Sequence, residues 1–160
     1  MAQKPKRGRV QGSAPGQKGA VRLRAAQRAA NFRQTREAHR AEVAEDYVEL
    51  VAELIESAGE ARAVDIARRL GVSHATVVKT INRLQQSGLV LSRPYRAIFL
   101  TDKGRRMADA SRKRHRIVLE FLRTIGVSEE TAQADAEGME HHVSRETLAA
   151  FGRVIRKKIS

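Results

Sequence analysis

The feature that most constrains the fold is a glycine between two short helical patterns in residues 63–86. The first pattern ends at Leu70, and Gly71 follows it with the conformational freedom that a tight turn requires. Ser73 then offers a side-chain oxygen that can cap a second helix, which runs to about Gln86. A helix, a glycine turn and a capped second helix predict a helix-turn-helix.

The second helix of this unit has two distinct faces. Val77, Ile81 and Leu84 recur at helical spacing and should pack inward. In a DNA-binding unit the outward residues near the N-terminus of this helix meet base edges in the major groove. A solvated helix in an interaction domain is the alternative. The residues that we expect to contact bases or phosphates are His74, Ala75, Thr76, Lys79, Thr80 and Arg83.

A β-hairpin wing is predicted directly after the helix-turn-helix. Two short runs of branched and aromatic residues, 89–92 and 97–101, flank a four-residue turn that contains proline. At the tip of this wing, Arg93, Tyr95 and Arg96 would contact the DNA backbone or the minor groove.

Helical patterns on both sides of this unit make the chain mainly α. Apolar residues recur at intervals of three and four from Phe32 to Ser57, and Gly59 ends that helix. We therefore predict an N-terminal winged helix-turn-helix, with three helices and a β-hairpin wing, followed by an all-helical part. The later helices are predicted from Thr101 or Asp102 to Ile125, from Ser128 through His142, and from Ser144 onward.

The net charge of +13 is concentrated at the N-terminus. Residues 1–40 contain eleven Lys or Arg and one acid, which gives +10 and leaves +3 for the remainder. Residues 1–31 have no sustained apolar period and are predicted to form a basic arm that is disordered or partly helical. Such an arm favours a polyanion partner, in particular nucleic acid, over a passive solubilising tail. Together with the helix-turn-helix and the wing, it makes double-stranded DNA the expected partner.

Composition excludes several classes of site. Cysteine is absent, so there is no disulfide framework, thiolate zinc site or cysteine nucleophile. No long apolar run or signal-like segment occurs, and we expect a cytoplasmic protein with no membrane partner. Any metal ion must be held by oxygen and nitrogen atoms.

A cluster of acids and histidines occupies residues 137–142, with the sequence Glu-Gly-Met-Glu-His-His. On a helix, Glu137, Glu140 and His141 stand at i, i+3 and i+4, so the side chains of Glu140 and His141 leave within about 60° of that of Glu137. Adjacent carboxylates repel unless a cation neutralises them. The cluster therefore predicts a divalent metal site.

Several motifs together resemble the diphtheria toxin repressor family of metal-dependent transcriptional regulators. They are Glu-Asp-Tyr-Val-Glu-Leu at 45–50, the helix-turn-helix, Phe-Leu-Thr at 99–101, Arg-His at 114–115, and the run at 137–142. The resemblance covers roughly residues 32–155. It implies a winged-helix domain at 32–101, a helical metal-binding and dimerisation domain at 102–160, and operator binding by a homodimer that metal switches on.

The resemblance also implies a set of metal ligands that the spacing alone leaves open. Acids such as Asp46 and Glu49, three residues apart on the first helix, are more often solvated, and a lone inward histidine such as His115 is usually a core residue. Carried over by position, the resemblance implies metal ligation by Asp46, Glu49, His115, Glu137, Glu140 and His141.

The chemistry of these ligands bears on the identity of the metal. The family's iron-responsive branch has methionine and cysteine where this chain has Asp46 and Glu137. Hard oxygen ligands suit Mn²⁺, and the carboxylates nearly balance two divalent ions per subunit. The resemblance thus implies an Mn²⁺-activated repressor of manganese uptake genes. An iron-responsive regulator using Fe²⁺ is one alternative, and a metal-independent winged-helix protein is another. A dinuclear metallohydrolase is the third, although no catalytic residue or small organic substrate is indicated and an enzyme is not expected.

Overall fold

The computed structural model describes residues 15–93 and 96–159. The first 14 residues of the basic arm and Tyr95 of the wing tip lie outside these ranges. No helix among the described residues is long and apolar enough to cross a membrane. The elements are α1 (Pro15–Ala58), α2 (Ala63–Leu70), α3 (His74–Gln86), β1 (Val90–Leu91), β2 (Phe99–Leu100), α4 (Asp102–Thr124), α5 (Glu129–Met139) and α6 (Arg145–Ile159).

The chain divides into two compact units, Met1–Arg40 and Ala41–Ser160. In the first unit, α1 already begins at Pro15, whereas the apolar pattern predicts a start near Phe32. Alanine, arginine and glutamine are frequent between these positions, and their high helix propensity needs no apolar period. Amphipathic spacing therefore does not predict the part of α1 before Phe32. The described side chains of Gln27–Arg40 are exposed, except for the half-buried Ala30.

The second unit contains the predicted helix-turn-helix with its predicted boundaries. Gly71 adopts a positive φ of 65° at the end of α2. The Ser73 hydroxyl accepts a hydrogen bond from the backbone N–H of Thr76 at 3.1 Å and caps α3. The inward face of α3 is confirmed, because Val77, Ile81 and Leu84 are buried in a core that includes Val48, Val51 and Ile66 of α1 and α2.

The wing is shorter than the sequence runs suggest. β1 and β2 are antiparallel, with Val90 opposite Leu100 and Leu91 opposite Phe99. Its base is joined to α4 at Thr101, whose hydroxyl donates to the carbonyl of Gly88 at 2.7 Å and accepts from the backbone N–H of Gly104. A Cβ at Gly104 would lie 2.0 Å from the Leu89 carbonyl oxygen, so this contact between helix and wing requires glycine.

A second core joins α4, α5 and α6, as the predicted all-helical C-terminal part requires. Val118 and Leu122 of α4 are buried against Ala132 and Ala136 of α5, with partly buried residues of α6 beside them. Phe121 and Phe151 stack with ring centroids 3.8 Å apart and planes at 3°. In α6, Ile155 is buried, whereas the adjacent Val154 is 41% exposed.

Candidate metal centre

The side chains of all six predicted ligands line one cavity, which has a volume of about 540 Å³. They come from three parts of the second unit that are far apart in sequence. The contributors are Asp46 and Glu49 from α1, His115 from α4, and Glu137, Glu140 and His141 from α5 and the turn that follows it.

The two acids of α1 lie at the edge of its apolar face rather than in open solvent. Their neighbours Tyr47, Val48 and Leu50 are buried, which turns this side of the helix toward the protein interior. Burial is the main cause that raises the pKa of both the Asp46 and the Glu49 carboxyl. The charge on Glu137 also raises both pKa values. His141 lowers the pKa of Asp46, and the hydrogen bond to Ser111 and the charge on Arg112 lower that of Glu49, but burial outweighs these influences. Both carboxylates are therefore partly desolvated.

The acids and histidines after Ala136 do not share one helix face, which corrects the sequence expectation. α5 ends at Met139, Glu140 forms its C-cap, and His141 lies in a turn. The Glu137 side chain is 73% exposed, whereas those of Glu140 and His141 are only 3% and 7% exposed. Because the chain leaves the helix here, helical spacing does not describe where the imidazole lies.

Glu140 lies between the two histidines of the cavity. Its Oε2 is 2.6 Å from Nδ1 of His115, and its Oε1 is 3.6 Å from Nε2 of His141. The same Nε2 lies 3.2 Å from Oδ1 of Asp46. Glu137 is more distant, with Oε1 3.8 Å from Nδ1 of His115. Desolvation raises the pKa of Glu140, although the hydrogen bond to His115 partly opposes it.

The pKa of His141 reflects two opposing influences. Burial alone would lower it, since a desolvated imidazolium is less stable. The hydrogen bond to Glu45 and the charges of Asp46 and Glu140 outweigh burial and raise the pKa. The neighbouring acids thus stabilise the protonated, positively charged form of His141.

The donor set fits a divalent cation in composition and location. Within the described part of the chain, no group of three or more acidic or histidine side chains is arranged to hold an ion as it stands. Here His115 is hydrogen-bonded to Glu140 and His141 to Glu45. The raised pKa values of Asp46, Glu49 and Glu140 nevertheless mark a place where burial destabilises the negative charge of these carboxylates more than the neighbouring histidines and Arg112 stabilise it. A divalent cation would relieve that charge after rotation of the side chains.

Two residues beside this cavity were missed by the sequence analysis. Oε2 of Glu45 lies 2.8 Å from Nδ1 of His141 and 2.5 Å from Nη2 of Arg114. Both residues fall within the motifs that carry the family resemblance, yet the many acids of α1 gave no reason to single out Glu45. Only its position against His141 distinguishes it.

The predicted DNA-binding residues form two exposed groups. On α3, His74, Ala75, Thr76, Lys79 and Arg83 are exposed, and Arg93 and Arg96 are exposed beside the wing tip. Thr80 is a correction, because it is only 8% exposed and packs inward with Val77 and Ile81. A cavity of about 610 Å³ separates α3 from the wing and is lined by residues that include His74, Arg93 and Arg96.

Comparison with known families assigns both parts of the chain. Residues 40–98 match the iron dependent repressor, N-terminal DNA binding domain. Residues 101–157 match the iron dependent repressor, metal binding and dimerisation domain.

Relatives with established names support the same assignment. The chain is 58% identical over 120 residues to the transcriptional regulator MntR of Escherichia coli O157:H7, covering 75% of this chain and 77% of the relative. It is 38% identical over 112 residues to the HTH-type transcriptional regulator MntR of Bacillus subtilis strain 168, covering 70% and 79%.

Solved structures extend the likeness to the fold. A manganese-dependent transcriptional repressor in complex with manganese has a TM-score of 0.64 and 33% identity, over 71% of this chain and 52% of that one. The IdeR protein of T. acidophilum has a TM-score of 0.61 and 30% identity, over 72% and 54%. This chain thus spans about half the length of these solved chains. With both domains matched, the chain belongs to the diphtheria toxin repressor family, the iron dependent repressors, which are metal-dependent, DNA-binding transcriptional regulators and not enzymes.

Proposed function

We propose that this protein is a manganese-activated repressor of manganese uptake genes and that its metal is held by the six residues of the α1–α4–α5 cavity. The observation that carries this proposal is that one cavity gathers all six side chains from three separate elements. Relatives named MntR and a manganese-bound neighbour support the identity of the metal. The ligands proposed are Asp46, Glu49, His115, Glu137, Glu140 and His141.

The position of these ligands explains how metal would influence DNA binding. Asp46 and Glu49 belong to α1, whose residues Val48 and Val51 pack in the same core as α3. The remaining ligands belong to α4 and the end of α5. When bound, the cation supplies the positive charge that the carboxylates lack. The ligands of α1 are then held against those of α4 and α5, which restricts the position of α3. A coupling of this kind typically changes operator affinity about 5- to 150-fold.

The donor set supports the number and kind of ions that we propose. Four carboxylates and two imidazoles suit two Mn²⁺ ions per subunit. Fe²⁺ is the second candidate ion, because it accepts the same oxygen and nitrogen ligands. Raw affinity does not select Mn²⁺ over Zn²⁺, so site geometry and metal supply in the cytoplasm must do so.

The DNA-binding face follows from the winged-helix domain, which we assign to residues 32–101. In a homodimer formed through residues 102–160, two copies of α3 would enter major grooves about one helical turn, or 34 Å, apart. His74, Ala75 and Thr76 would contact base edges, while Lys79 and Arg83 would contact phosphate or guanine. Arg93, Tyr95 and Arg96 of the wing would contact the backbone or minor groove.

The basic arm, residues 1–31, is assigned a supporting role in DNA binding. Arg28 lies in this arm, and the exposed Arg33, Arg36 and Arg40 follow it on the same helix. Because these guanidiniums are solvent-exposed and accompanied by only one acid in residues 1–40, we infer that the arm adds phosphate contacts.

A titration of operator binding tests the proposal directly. Binding of the full chain to operator DNA is measured at fixed salt against free Mn²⁺, Fe²⁺ and Zn²⁺ in parallel. We expect Mn²⁺ to raise operator affinity, with little effect on a scrambled duplex. Equal affinity with and without Mn²⁺ would exclude the switch, and selective activation by Fe²⁺ would favour the iron-responsive alternative.

A further inference from the structure

His141 separates two cavities of the second unit. One is the cavity of about 540 Å³ that all six proposed ligands line. The other, of about 470 Å³, is lined by Glu45 and Arg114 together with His141 and Glu140. Glu45 and Arg114 do not line the first cavity. They therefore stand behind the imidazole, on the side away from the proposed metal centre.

The two nitrogen atoms of the His141 ring have different partners. Nδ1 lies 2.8 Å from Oε2 of Glu45, whereas Nε2 lies 3.2 Å from Oδ1 of Asp46 and 3.6 Å from Oε1 of Glu140. One nitrogen is thus bonded within the second cavity, and the other faces proposed ligands. The imidazole is only 7% exposed, so water has little access to either nitrogen.

Glu45 is itself fixed from another element. Its Oε2 accepts a hydrogen bond from Nη2 of Arg114 at 2.5 Å, and the same Nη2 lies 3.3 Å from the hydroxyl oxygen of the buried Ser111. The side chains of Glu45 and Arg114 are 19% and 23% exposed. A carboxylate of α1 is therefore held in place by a guanidinium of α4 before it meets the ring of His141.

A neutral imidazole binds a cation only through the nitrogen that carries no proton. The other nitrogen then carries the proton and needs an acceptor, which sets both the tautomer and the direction of the ring. The Glu45 carboxylate can only accept, and it has hydrogen-bond geometry with Nδ1, whereas the 3.2 Å contact between Nε2 and Asp46 is an ion-pair contact. Glu45 therefore favours a proton on Nδ1 and leaves Nε2 free. We propose that Glu45, held by Arg114, is a positioning residue that aims Nε2 of His141 into the proposed metal centre.

This inference rests on the proposed function, since it takes His141 to be a ligand. The pairing of Glu45 with Arg114 differs from an ordinary ion pair between helices. Glu56 of α1 and Arg112 of α4 form such a pair at 2.7 Å, and its carboxylate is hydrogen-bonded to a guanidinium without an imidazole. Loss of Glu56 therefore measures what an α1–α4 ion pair contributes, and loss of Glu45 measures that contribution together with the effect on His141.

The test compares Glu45→Ala, Glu45→Gln and the matched control Glu56→Ala in the full chain. Mn²⁺ affinity and stoichiometry are measured without DNA, from the electron paramagnetic resonance signal of free Mn²⁺. The His141 tautomer is read from ¹⁵N NMR of metal-free protein at a pH where the ring is neutral, with His141→Gln to assign the signals.

We expect Glu45→Ala to lower Mn²⁺ affinity roughly 10- to 100-fold and to shift His141 from the Nδ1–H toward the Nε2–H tautomer. Glu45→Gln should retain the Nδ1–H tautomer and lose less affinity, because its amide oxygen still accepts a hydrogen bond. Glu56→Ala should leave the His141 tautomer unchanged. Because its partner Arg112 also lines the proposed metal cavity, any change in Mn²⁺ affinity in this variant measures the contribution of the ion pair alone.

Three results would overturn the inference. The first is that His141 is already the Nε2–H tautomer in wild-type protein. The second is that Glu45→Ala has wild-type affinity and tautomer. The third is that both Glu45 variants lose bound ions equally, which would make Glu45 a ligand. The first needs no Glu45 variant and decides the matter if Glu45→Ala does not fold. Wild-type protein that binds no Mn²⁺ would overturn the proposed function instead, while the tautomer would still report the pairing of Glu45 with His141.

Discussion

Glu140 is hydrogen-bonded to His115 across the α4–α5 junction, with its Oε2 2.6 Å from Nδ1 of the imidazole. The carboxylate is nearly inaccessible to solvent, and burial raises its pKa. This pair joins a buried carboxylate to an imidazole, and both are proposed metal ligands. Through this pair, the stability of the folded protein depends on the protons and cations that the cavity binds.

Glu140→Gln should separate stability from metal response. The substitution removes a carboxylate whose ionised form is destabilised by burial, so the metal-free protein should unfold at the same temperature as wild type or higher. Stabilisation by Mn²⁺ should fall by at least about 1 kcal/mol, since a charged group among the proposed ligands is lost. Thermal unfolding with and without Mn²⁺ measures both effects. A metal-free variant that is markedly less stable than wild type would contradict this account.

The stability of the metal-free protein should decrease as pH rises. The carboxyl groups of Asp46, Glu49 and Glu140 have pKa values raised above 3.8, 4.5 and 4.5, so the folded state binds more protons than the unfolded chain just above those values. His141 has a pKa raised above 6.5, and its contribution is present below 6.5 and lost as pH rises through the folded-state value. Mn²⁺ binding should show the opposite dependence, because its ligands must lose protons.

Thermal unfolding in chelator and in excess Mn²⁺, from about pH 5 to about pH 8, checks both trends. Metal-free stability that increases over this range would contradict the first, and an Mn²⁺-dependent gain that shrinks with pH would contradict the second.

Glu137→Ala should weaken metal-dependent operator binding and leave non-specific binding intact. Glu137 is exposed and belongs to no core, so the fold should be unaffected. The non-specific part depends on Lys and Arg contacts with phosphate, which this change does not touch. Binding to operator and to scrambled DNA, each over a range of Mn²⁺, distinguishes the two parts. A similar loss on both DNAs would argue against a ligand role.

Deletion of residues 1–30 should flatten the salt dependence of DNA binding. The deletion removes eight Lys or Arg and no acid. Each phosphate contact that is lost should reduce the slope of log K against log salt by about 0.9. Affinity measured at several salt concentrations for the full and shortened chains provides the test. An unchanged slope would make the arm a passive tail.

Gly104→Ala should destabilise the junction of the wing with α4. A new Cβ would lie 2.0 Å from the carbonyl oxygen of Leu89, so the backbone must shift. We expect a loss of about 1 to 3 kcal/mol in the free energy of unfolding, typical of overpacking. Gly138→Ala is the control, because a Cβ there meets no atom within 4 Å and should be neutral or slightly stabilising. Equal stability of the two variants would contradict the close approach.

Local chemistry made much of the fold predictable. The turn at Gly71, the cap at Ser73 and the stop at Gly59 depend on backbone conformation and neighbouring hydrogen bonds, which a short sequence window contains. The start of α1 was placed 17 residues too late, at Phe32 instead of Pro15, because helix propensity without an apolar stripe leaves no period to detect. The candidate ligands came from residue type and from family resemblance.

The sequence by itself determined which side chains were available to hold a cation, which helices would form, and where the charge is concentrated. Only the tertiary structure decided that Thr80 is buried, that α5 ends before His141, and that Glu45 and Asp46 lie against opposite nitrogens of one imidazole. These outcomes depend on contacts between α1, α4 and the end of α5, residues separated by up to 96 positions. Spacing along a chain describes the direction of a side chain from its own helix and carries no information about which distant group it meets.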